Sequence, residues 1–94
     1  MTRYNIDTIR EKTRGFFQAK IDSRFGTEVM TFDDDTDLYA SGLIDSLHVA
    51  GLISLLENEF QIKVNEDDMI IEKFCSVEKT ALYVTGYFRA WGDR

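Results

Sequence analysis

The sequence contains no proline, one cysteine and one histidine among its 94 residues. Because proline is absent, no helix is forced to break. A single cysteine excludes an internal disulfide and fits a reducing compartment, so we expect a cytoplasmic protein. One cysteine with one histidine is also too few for a zinc site by themselves.

Positive charge and long apolar runs are scarce as well. Eleven Lys and Arg residues face 17 Asp and Glu residues, which gives a formal net charge of −6. Nucleic acid is therefore a poor partner, and basic protein surfaces are the natural complement. No apolar run approaches the roughly 20 residues of a membrane span, and residues 1–5 do not open a signal peptide. We expect one domain over residues 1–94, acting as a monomer away from membranes.

Helical periodicity dominates what is present, and it predicts an all-α fold. We expect a small four-helix bundle, with helices over residues 6–21, 46–61, 66–71 and 77–90. Asn5 or Asp7 is the expected cap of the first helix, and Ser76 that of the last. The apolar positions at helical spacing are Ile6, Ile9, Phe16, Phe17, Ile21, Val49, Leu52, Ile53, Leu56, Phe60, Val77, Ala81, Val84, Phe88 and Trp91.

A long, weakly periodic segment over residues 22–45 joins the first two helices. A loop of this length is expected in a compact domain only where it is functional. Apolar residues spaced along it predict contacts that hold it against the helices. These residues are Phe25, Val29, Phe32, Leu38, Leu43 and Ile44.

The run GLIDSL at residues 42–47 places a serine hydroxyl where this acidic loop becomes a helix. A helix N-terminus offers unpaired N–H groups and a positive dipole end to a phosphate. Ser46 is therefore either the site of a phosphate ester or simply the helix cap, a position that favours serine.

The residues around Ser46 resemble those of acyl and peptidyl carrier proteins. The matching stretch is DLYASGLIDSL at residues 37–47, which continues through LISLLENEFQIKV at residues 52–64. The Asp-Ser-Leu signature stands in register with the downstream Leu-Glu-x-Glu-Phe, and residues 74–77 fit the family's turn into its last helix. The resemblance covers residues 33–84 well and the first helix only by pattern.

This resemblance implies that Ser46 carries 4′-phosphopantetheine through a phosphodiester. A phosphopantetheinyl transferase installs the group from coenzyme A, and its terminal thiol then bears an acyl or aminoacyl thioester. Asp45 matches the aspartate beside which the transferase and its metal ion engage, so we assign it to the modification step. A carrier serine needs exposure rather than a general base, so we expect no catalytic residue and no resident metal site.

Two chemical patterns near this run are better explained as structure. Asp45, Ser46 and His48 are not a catalytic triad, because a serine and a histidine two positions apart on a helix point in different directions. We expect His48 to be exposed near the prosthetic group. Residues 33–44 begin with EF-hand spacing, but Leu38 and Ile44 stand where glycine and glutamate are required.

The remaining reactive or aromatic residues also have structural interpretations. Cys75 is expected to be a small, half-buried residue next to the last helix. The C-terminal aromatic residues are expected to pack rather than to bind a ligand. They are Tyr83, Tyr87, Phe88 and Trp91.

Partner enzymes are expected to contact the second helix beside Ser46, because the positions there lie off the core stripe. The expected contact residues are Ile44, Leu47, His48, Ala50, Gly51, Ser54, Glu57 and Val64. Contacts of this kind should be modest, transient and partly electrostatic.

The resemblance is weaker towards fatty-acid carriers, which have acidic residues just after the serine where this chain has His48 and Gly51. We therefore expect a discrete carrier in polyketide, nonribosomal peptide or related specialised metabolism, such as antibiotic biosynthesis. Its partners would be the phosphopantetheinyl transferase, a loading ligase or acyltransferase, and downstream synthase, condensation or tailoring enzymes. The alternatives are a fatty-acid or D-alanyl-type carrier and, from another class, an unmodified helical interaction module.

Overall fold

The computed structural model describes residues 5–27 and 31–91, and the regular secondary structure of these residues is entirely helical. Helix α1 spans Ile6–Phe25, α2 spans Ser46–Phe60 and α3 spans Val77–Trp91. Two 3₁₀ turns, Glu66–Asp68 and Ile71–Lys73, lie between α2 and α3. The predicted all-α fold is confirmed.

The short fourth helix predicted over residues 66–71 is wrong, because the chain forms two separate 3₁₀ turns there. Met69 has φ −80° and ψ 59°, and Ile70 is extended. The first turn consists of three acidic residues and buries none of them. Without an apolar stripe to bury, a longer helix gains little from packing, and isolated short helices are marginal.

The helix ends follow local capping chemistry. The Asn5 side chain accepts a hydrogen bond from the Thr8 amide at 2.8 Å, and the Ser76 hydroxyl accepts one from the Lys79 amide at 3.0 Å. Both predicted caps are confirmed, with Asn5 rather than Asp7 at the first helix. Helix α1 runs past residue 21 to Phe25 and stops before Gly26, whose φ of 103° suits glycine.

The predicted stripes of the three helices meet in one apolar core. Two buried positions were not predicted, Thr13 of α1 and Thr80 of α3. Three predicted positions are only partly buried, namely Ile6, Phe16 and Phe88. The side chain of Trp91 lies outside the described residues. The buried residues of the helices are Ile9, Thr13, Phe17, Ile21, Val49, Leu52, Ile53, Leu56, Phe60, Val77, Thr80, Ala81 and Val84.

Helices α1 and α2 run antiparallel. Lys12 pairs with Glu59 near the end of α2 at 2.9 Å, and the Phe16 ring lies against Gly51 nearer its start. Arg10 joins α1 to α3 through two hydrogen bonds to the Glu78 carboxylate, at 2.9 and 3.1 Å.

The segment before α2 is held in place at Leu38. The Leu38 amide donates to the Cys75 carbonyl at 2.8 Å, and its carbonyl accepts from the amides of Leu43 and Ile44 at 2.9 and 3.1 Å. These three apolar side chains are buried, as predicted, and Phe32 packs partly against the core. The same prediction is wrong for Phe25, which is 40% exposed, and Val29 lies outside the described residues.

Candidate functional site

Ser46 is the first residue of α2, and its side chain is exposed. Within residues 5–27 and 31–91 we find no hydrogen-bond partner for its hydroxyl. The interpretation of Ser46 as the helix cap is wrong, because Asp45 occupies that position. The serine oxygen is therefore available at the positive end of the helix dipole.

Asp45 and His48 form a reciprocal capping box around this serine. The Asp45 carboxylate accepts a hydrogen bond from the His48 amide at 3.0 Å, and Nδ1 of His48 accepts one from the Asp45 amide at 3.2 Å. Two N–H groups that would lack a partner at a helix start are satisfied in this way. The start of α2 is thus fixed on both sides of Ser46.

The cap also sets the charge at the site. The hydrogen bond from the His48 amide is the main cause that holds the pKa of the Asp45 carboxyl below its usual range. Asp45 is therefore an anion next to Ser46 at neutral pH. In the described part of the chain, no group of three or more His, Cys, Asp or Glu residues is arranged to hold a metal ion.

The geometry agrees with the rejection of a catalytic triad. The His48 imidazole is turned towards the Asp45 amide, with Nδ1 3.4 Å from the Asp45 carboxylate. A general base must reach the nucleophile by a hydrogen bond, and this imidazole nitrogen is already used as the acceptor of another one. His48 is half-buried in the cap rather than exposed, so the expectation of an exposed histidine is wrong.

A groove of about 770 Å³ opens beside Ser46. Its lining comes from α2, from residues 69–79 and from Asp37 and Tyr39 of the loop before α2. The residues that line it are Asp37, Tyr39, Ser46, Val49, Ala50, Ile53, Ser54, Glu57, Met69, Ile70, Ile71, Glu72, Cys75 and Lys79. The groove thus combines an apolar floor with a hydroxyl at one of its edges.

The sequence matches a known protein family. Residues 16–84 match the family model described as a phosphopantetheine attachment site. The chain belongs to this family. A comparison with curated proteins finds no match. The cofactor of this carrier protein is covalently attached 4′-phosphopantetheine, which fits an exposed and uncommitted serine hydroxyl at a helix N-terminus.

Two residues expected on the partner surface of the carrier are instead in its core. Ile44 is 3% exposed and Val64 is 1% exposed. The Ile44 amide donates a hydrogen bond to the Leu38 carbonyl, and the Val64 amide donates one to the Glu57 carboxylate at 3.0 Å. Their prediction as contact residues is wrong, because both flank α2 outside its helical periodicity.

Gly51 also faces inward, although its position off the core stripe of α2 predicted an exposed contact residue. A Cβ atom built at this position would lie 3.2 Å from the tip of the Phe16 ring. The absence of a side chain therefore lets α1 and α2 approach each other here. Its place on the partner surface is corrected to a helix contact.

The other expected contact residues keep their accessibility. Leu47 is 79% exposed, Ala50 and Ser54 are exposed along the groove, and Glu57 is half-buried at its far end.

Three further apolar residues at the groove were not predicted from the sequence. Tyr39 is 44%, Met69 45% and Ile70 42% exposed, and all three line the groove. We call them the groove rim. An available signal was the run of three apolar residues at positions 69–71 inside an otherwise acidic stretch, which no helical stripe explains.

The wall that carries Met69 and Ile70 is held by three side chains, which we call the Asp68 clamp. The Asp68 carboxylate accepts from Lys73 and from the Tyr83 hydroxyl of α3, both at 2.9 Å. Lys73 is the main cause that lowers the pKa of Asp68, whereas burial and Asp68 raise the pKa of Tyr83 to about 12. Tyr83 also packs on Phe74 with 5.1 Å between ring centres.

Cys75 lies at the inner side of the groove and is buried rather than half-buried. Burial is the main cause that raises the pKa of its thiol. A thiol that resists ionisation is a weak nucleophile, so the packing role predicted for Cys75 agrees with its surroundings. Across the described ranges, no helix combines the length and apolar character that a membrane span requires.

Proposed function

We propose that this carrier protein holds a biosynthetic intermediate as a thioester on 4′-phosphopantetheine attached to Ser46. The observation that carries the proposal is the free Ser46 hydroxyl at the start of α2, bracketed by the Asp45–His48 capping box. Asp45 takes the capping role and leaves the serine oxygen uncommitted. The chain is then a non-catalytic subunit that serves other enzymes in turn.

Modification is a phosphoryl-type transfer in which Ser46 is the acceptor. The Ser46 oxygen forms a bond to phosphorus, the pyrophosphate bond of coenzyme A breaks, and adenosine 3′,5′-bisphosphate leaves. The hydroxyl proton passes to the transferase or to solvent. Nearby N–H groups of the helix start favour the phosphodiester, whereas the Asp45 anion opposes it, which assigns Asp45 to the transfer step rather than to storage.

We further propose that the pathway is specialised metabolism, with a polyketide, nonribosomal peptide or related acyl or aminoacyl cargo. Helix α2 has no acidic residue between Ser46 and Glu57. At Gly51 an acidic side chain would also have to displace the Phe16 ring. Partners that select a carrier by carboxylates just after the serine, as expected for fatty-acid synthesis, would find none here.

The proposed contact surface consists of Leu47, the exposed groove residues Ala50 and Ser54, and the groove rim. Loading ligases or acyltransferases and later synthase, condensation or tailoring enzymes would meet it through apolar contacts, with acidic residues such as Glu57 and Glu72 nearby. A small apolar patch with charged surroundings suits partners that bind briefly and in sequence.

The deciding experiment is intact mass spectrometry after incubation with coenzyme A and a phosphopantetheinyl transferase. We expect the wild-type chain to gain the mass of one phosphopantetheine group and the Ser46→Ala variant to gain none. Ser23→Ala is the matched control, because Ser23 is also an exposed serine but lies on α1, distant in sequence from Ser46. Modification that persists in Ser46→Ala would remove Ser46 from this role. A wild-type chain that never gains mass would favour the unmodified interaction module.

A second measurement addresses the cargo. Intact mass analysis of the protein from its native host should show phosphopantetheine plus an acyl or aminoacyl group on the same serine. A long unbranched fatty-acyl mass would contradict the assignment to specialised metabolism and favour the fatty-acid alternative, and a D-alanyl mass would favour the D-alanyl-type carrier.

A further inference from the structure

We infer that His48 selects which of two adjacent residues caps α2, and that this choice keeps the Ser46 hydroxyl available for modification. The inference rests on the proposed role of Ser46. It makes His48 a positioning residue that acts through Asp45, not a catalytic residue.

The sequence offers α2 two possible starts, because Asp45 and Ser46 both belong to residue types favoured at a helix cap. In the observed start, Asp45 is the cap and Ser46 is the first helical residue. In a start one residue later, the Ser46 hydroxyl would accept a hydrogen bond from the Val49 amide. The oxygen that must be modified would then be held against the end of the helix.

The backbone alone distinguishes these two starts poorly. In the observed start the Val49 amide donates to the Asp45 carbonyl, at a rather long 3.2 Å. In the later start the same amide would donate to Ser46 instead, so it has a partner either way. The difference lies in the two hydrogen bonds between Asp45 and His48.

Only the observed start allows the reciprocal bond of a capping box. That bond comes from the third helical residue, which is His48 when Asp45 is the cap, and its Nδ1 accepts from the Asp45 amide at 3.2 Å. When Ser46 is the cap, the third residue is Val49, a buried hydrocarbon side chain that cannot accept a hydrogen bond. One imidazole therefore favours the start that leaves Ser46 free.

The accepting role of Nδ1 predicts a spectroscopic signature. A neutral imidazole has one protonated nitrogen, so an acceptor at Nδ1 requires the proton on Nε2. Because His48 is the only histidine of the sequence, its ring nitrogens can be assigned in a two-dimensional ¹H–¹⁵N spectrum without ambiguity. We expect the Nε2–H tautomer in the unmodified protein in mildly alkaline buffer.

The kinetic test compares His48→Ala, His48→Gln and Asn58→Ala in the full chain, as substrates of a phosphopantetheinyl transferase with coenzyme A. Glutamine is a usual partner in a capping box and should restore the bond to the Asp45 amide. Asn58 is exposed near the other end of α2 and controls for general effects of truncation on this helix. We expect kcat/KM of transfer to fall about fivefold in His48→Ala and to stay within about twofold of wild type in the other two variants.

A structural readout separates a shifted helix start from a simple loss of stability. In His48→Ala, the Ser46 Cβ and Val49 amide resonances should move, while those of the last turn of α2 should not. Folding of each variant is checked by its circular dichroism spectrum.

Each outcome bears on one of the two claims. No modification of the wild-type chain would contradict the proposed function, whatever the tautomer of His48. A modified wild type with equal transfer rates in His48→Ala would overturn the inference, as would a proton on Nδ1 in the unmodified protein. A His48→Gln variant as slow as His48→Ala would also overturn it, because the reciprocal bond would then not be the cause.

Discussion

The two segments that flank the groove are held in different ways. Residues 31–45, which lead into Ser46, are fixed by backbone hydrogen bonds to distant parts of the chain, such as the Leu38 amide to the Cys75 carbonyl. Residues 65–73, which form the opposite wall, make only local backbone hydrogen bonds among the described residues. Their link to α3 depends on side chains, above all the Asp68 clamp.

The burial of the two segments differs in the same direction. The first contributes Leu38, Leu43 and Ile44 to the core, whereas the second exposes Met69 and Ile70 at the groove. Segments with few long-range backbone hydrogen bonds and little buried surface have a lower free energy of local unfolding. The comparison indicates a serine held in a defined place opposite a groove wall that can adjust.

The largest expected effect on stability is in residues 31–45, the segment held by long-range backbone hydrogen bonds. Leu38→Ala removes a fully buried side chain and leaves a cavity, so the free energy of unfolding should fall by about 2–5 kcal/mol. Chemical denaturation measures it. Leu82→Ala, which truncates a leucine that is 56% exposed on α3, should change stability by no more than about 0.5 kcal/mol. Equal losses in the two variants would contradict the proposed anchoring role of Leu38.

A smaller effect on stability is expected in residues 65–73, the opposite wall of the groove. Tyr83→Phe removes the hydroxyl that donates to Asp68, which should cost about 1 kcal/mol of global stability. Hydrogen–deuterium exchange of residues 69–73 should become faster, while exchange of residues 38–44 stays unchanged. Tyr39→Phe is the control, since this phenol is exposed and lies outside the clamp. If exchange rises equally in both segments, the two walls are not independent.

The smallest effect on stability is expected for an ion pair that links residues 31–45 to α1. Arg14 donates two hydrogen bonds to the Asp34 carboxylate, at 2.9 and 2.7 Å, and these bonds are the main cause of the lowered pKa of Asp34. Both side chains are more than a third exposed to solvent, so we expect Asp34→Asn to cost only about 0.5 kcal/mol at neutral pH.

The pH dependence of this pair has a defined sign. A carboxyl whose pKa is lower in the folded state stabilises the fold above its ordinary value of 3.8, and this contribution is lost as the pH falls through the lowered value. The difference between wild type and Asp34→Asn should therefore shrink as the pH falls below 3.8 and vanish once the pH lies below the lowered pKa of Asp34. A difference that persists in acid would show that the side chain acts through packing instead of charge.

Sequence periodicity predicted the helices well because each has an apolar stripe to bury. The stripe of α2 lies in the core, as do Val77, Ala81 and Val84 of α3. The loop contacts at Leu38, Leu43 and Ile44 were found from apolar spacing alone. The helix predicted over residues 66–71 was wrong. That segment has charged residues but no stripe, so tertiary contacts such as the Asp68 clamp decide its conformation.

The sequence proposes candidate residues for the site but does not predict their geometry. Motif and resemblance located Ser46 and Asp45, yet local preference could not show which of them caps the helix, since both residue types are suitable. Likewise, the position of Gly51 on a helical wheel does not reveal that Phe16 of another helix covers it. The cap depends on the side chain of His48 three residues further on, and the contact of Gly51 depends on a residue that is distant in the chain.

The hydrogen bonds around the Leu38 carbonyl have a consequence for timing. Because that oxygen already closes the chain from Leu38 to Ile44, an enzyme that approaches Ser46 does not have to order this stretch when it binds. When binding needs no ordering of a loop, association is faster and a few contacts suffice for a complex to form. A few contacts also mean fast dissociation and a short residence time. A preformed loop of this kind lets one chain leave each enzyme quickly and reach the next.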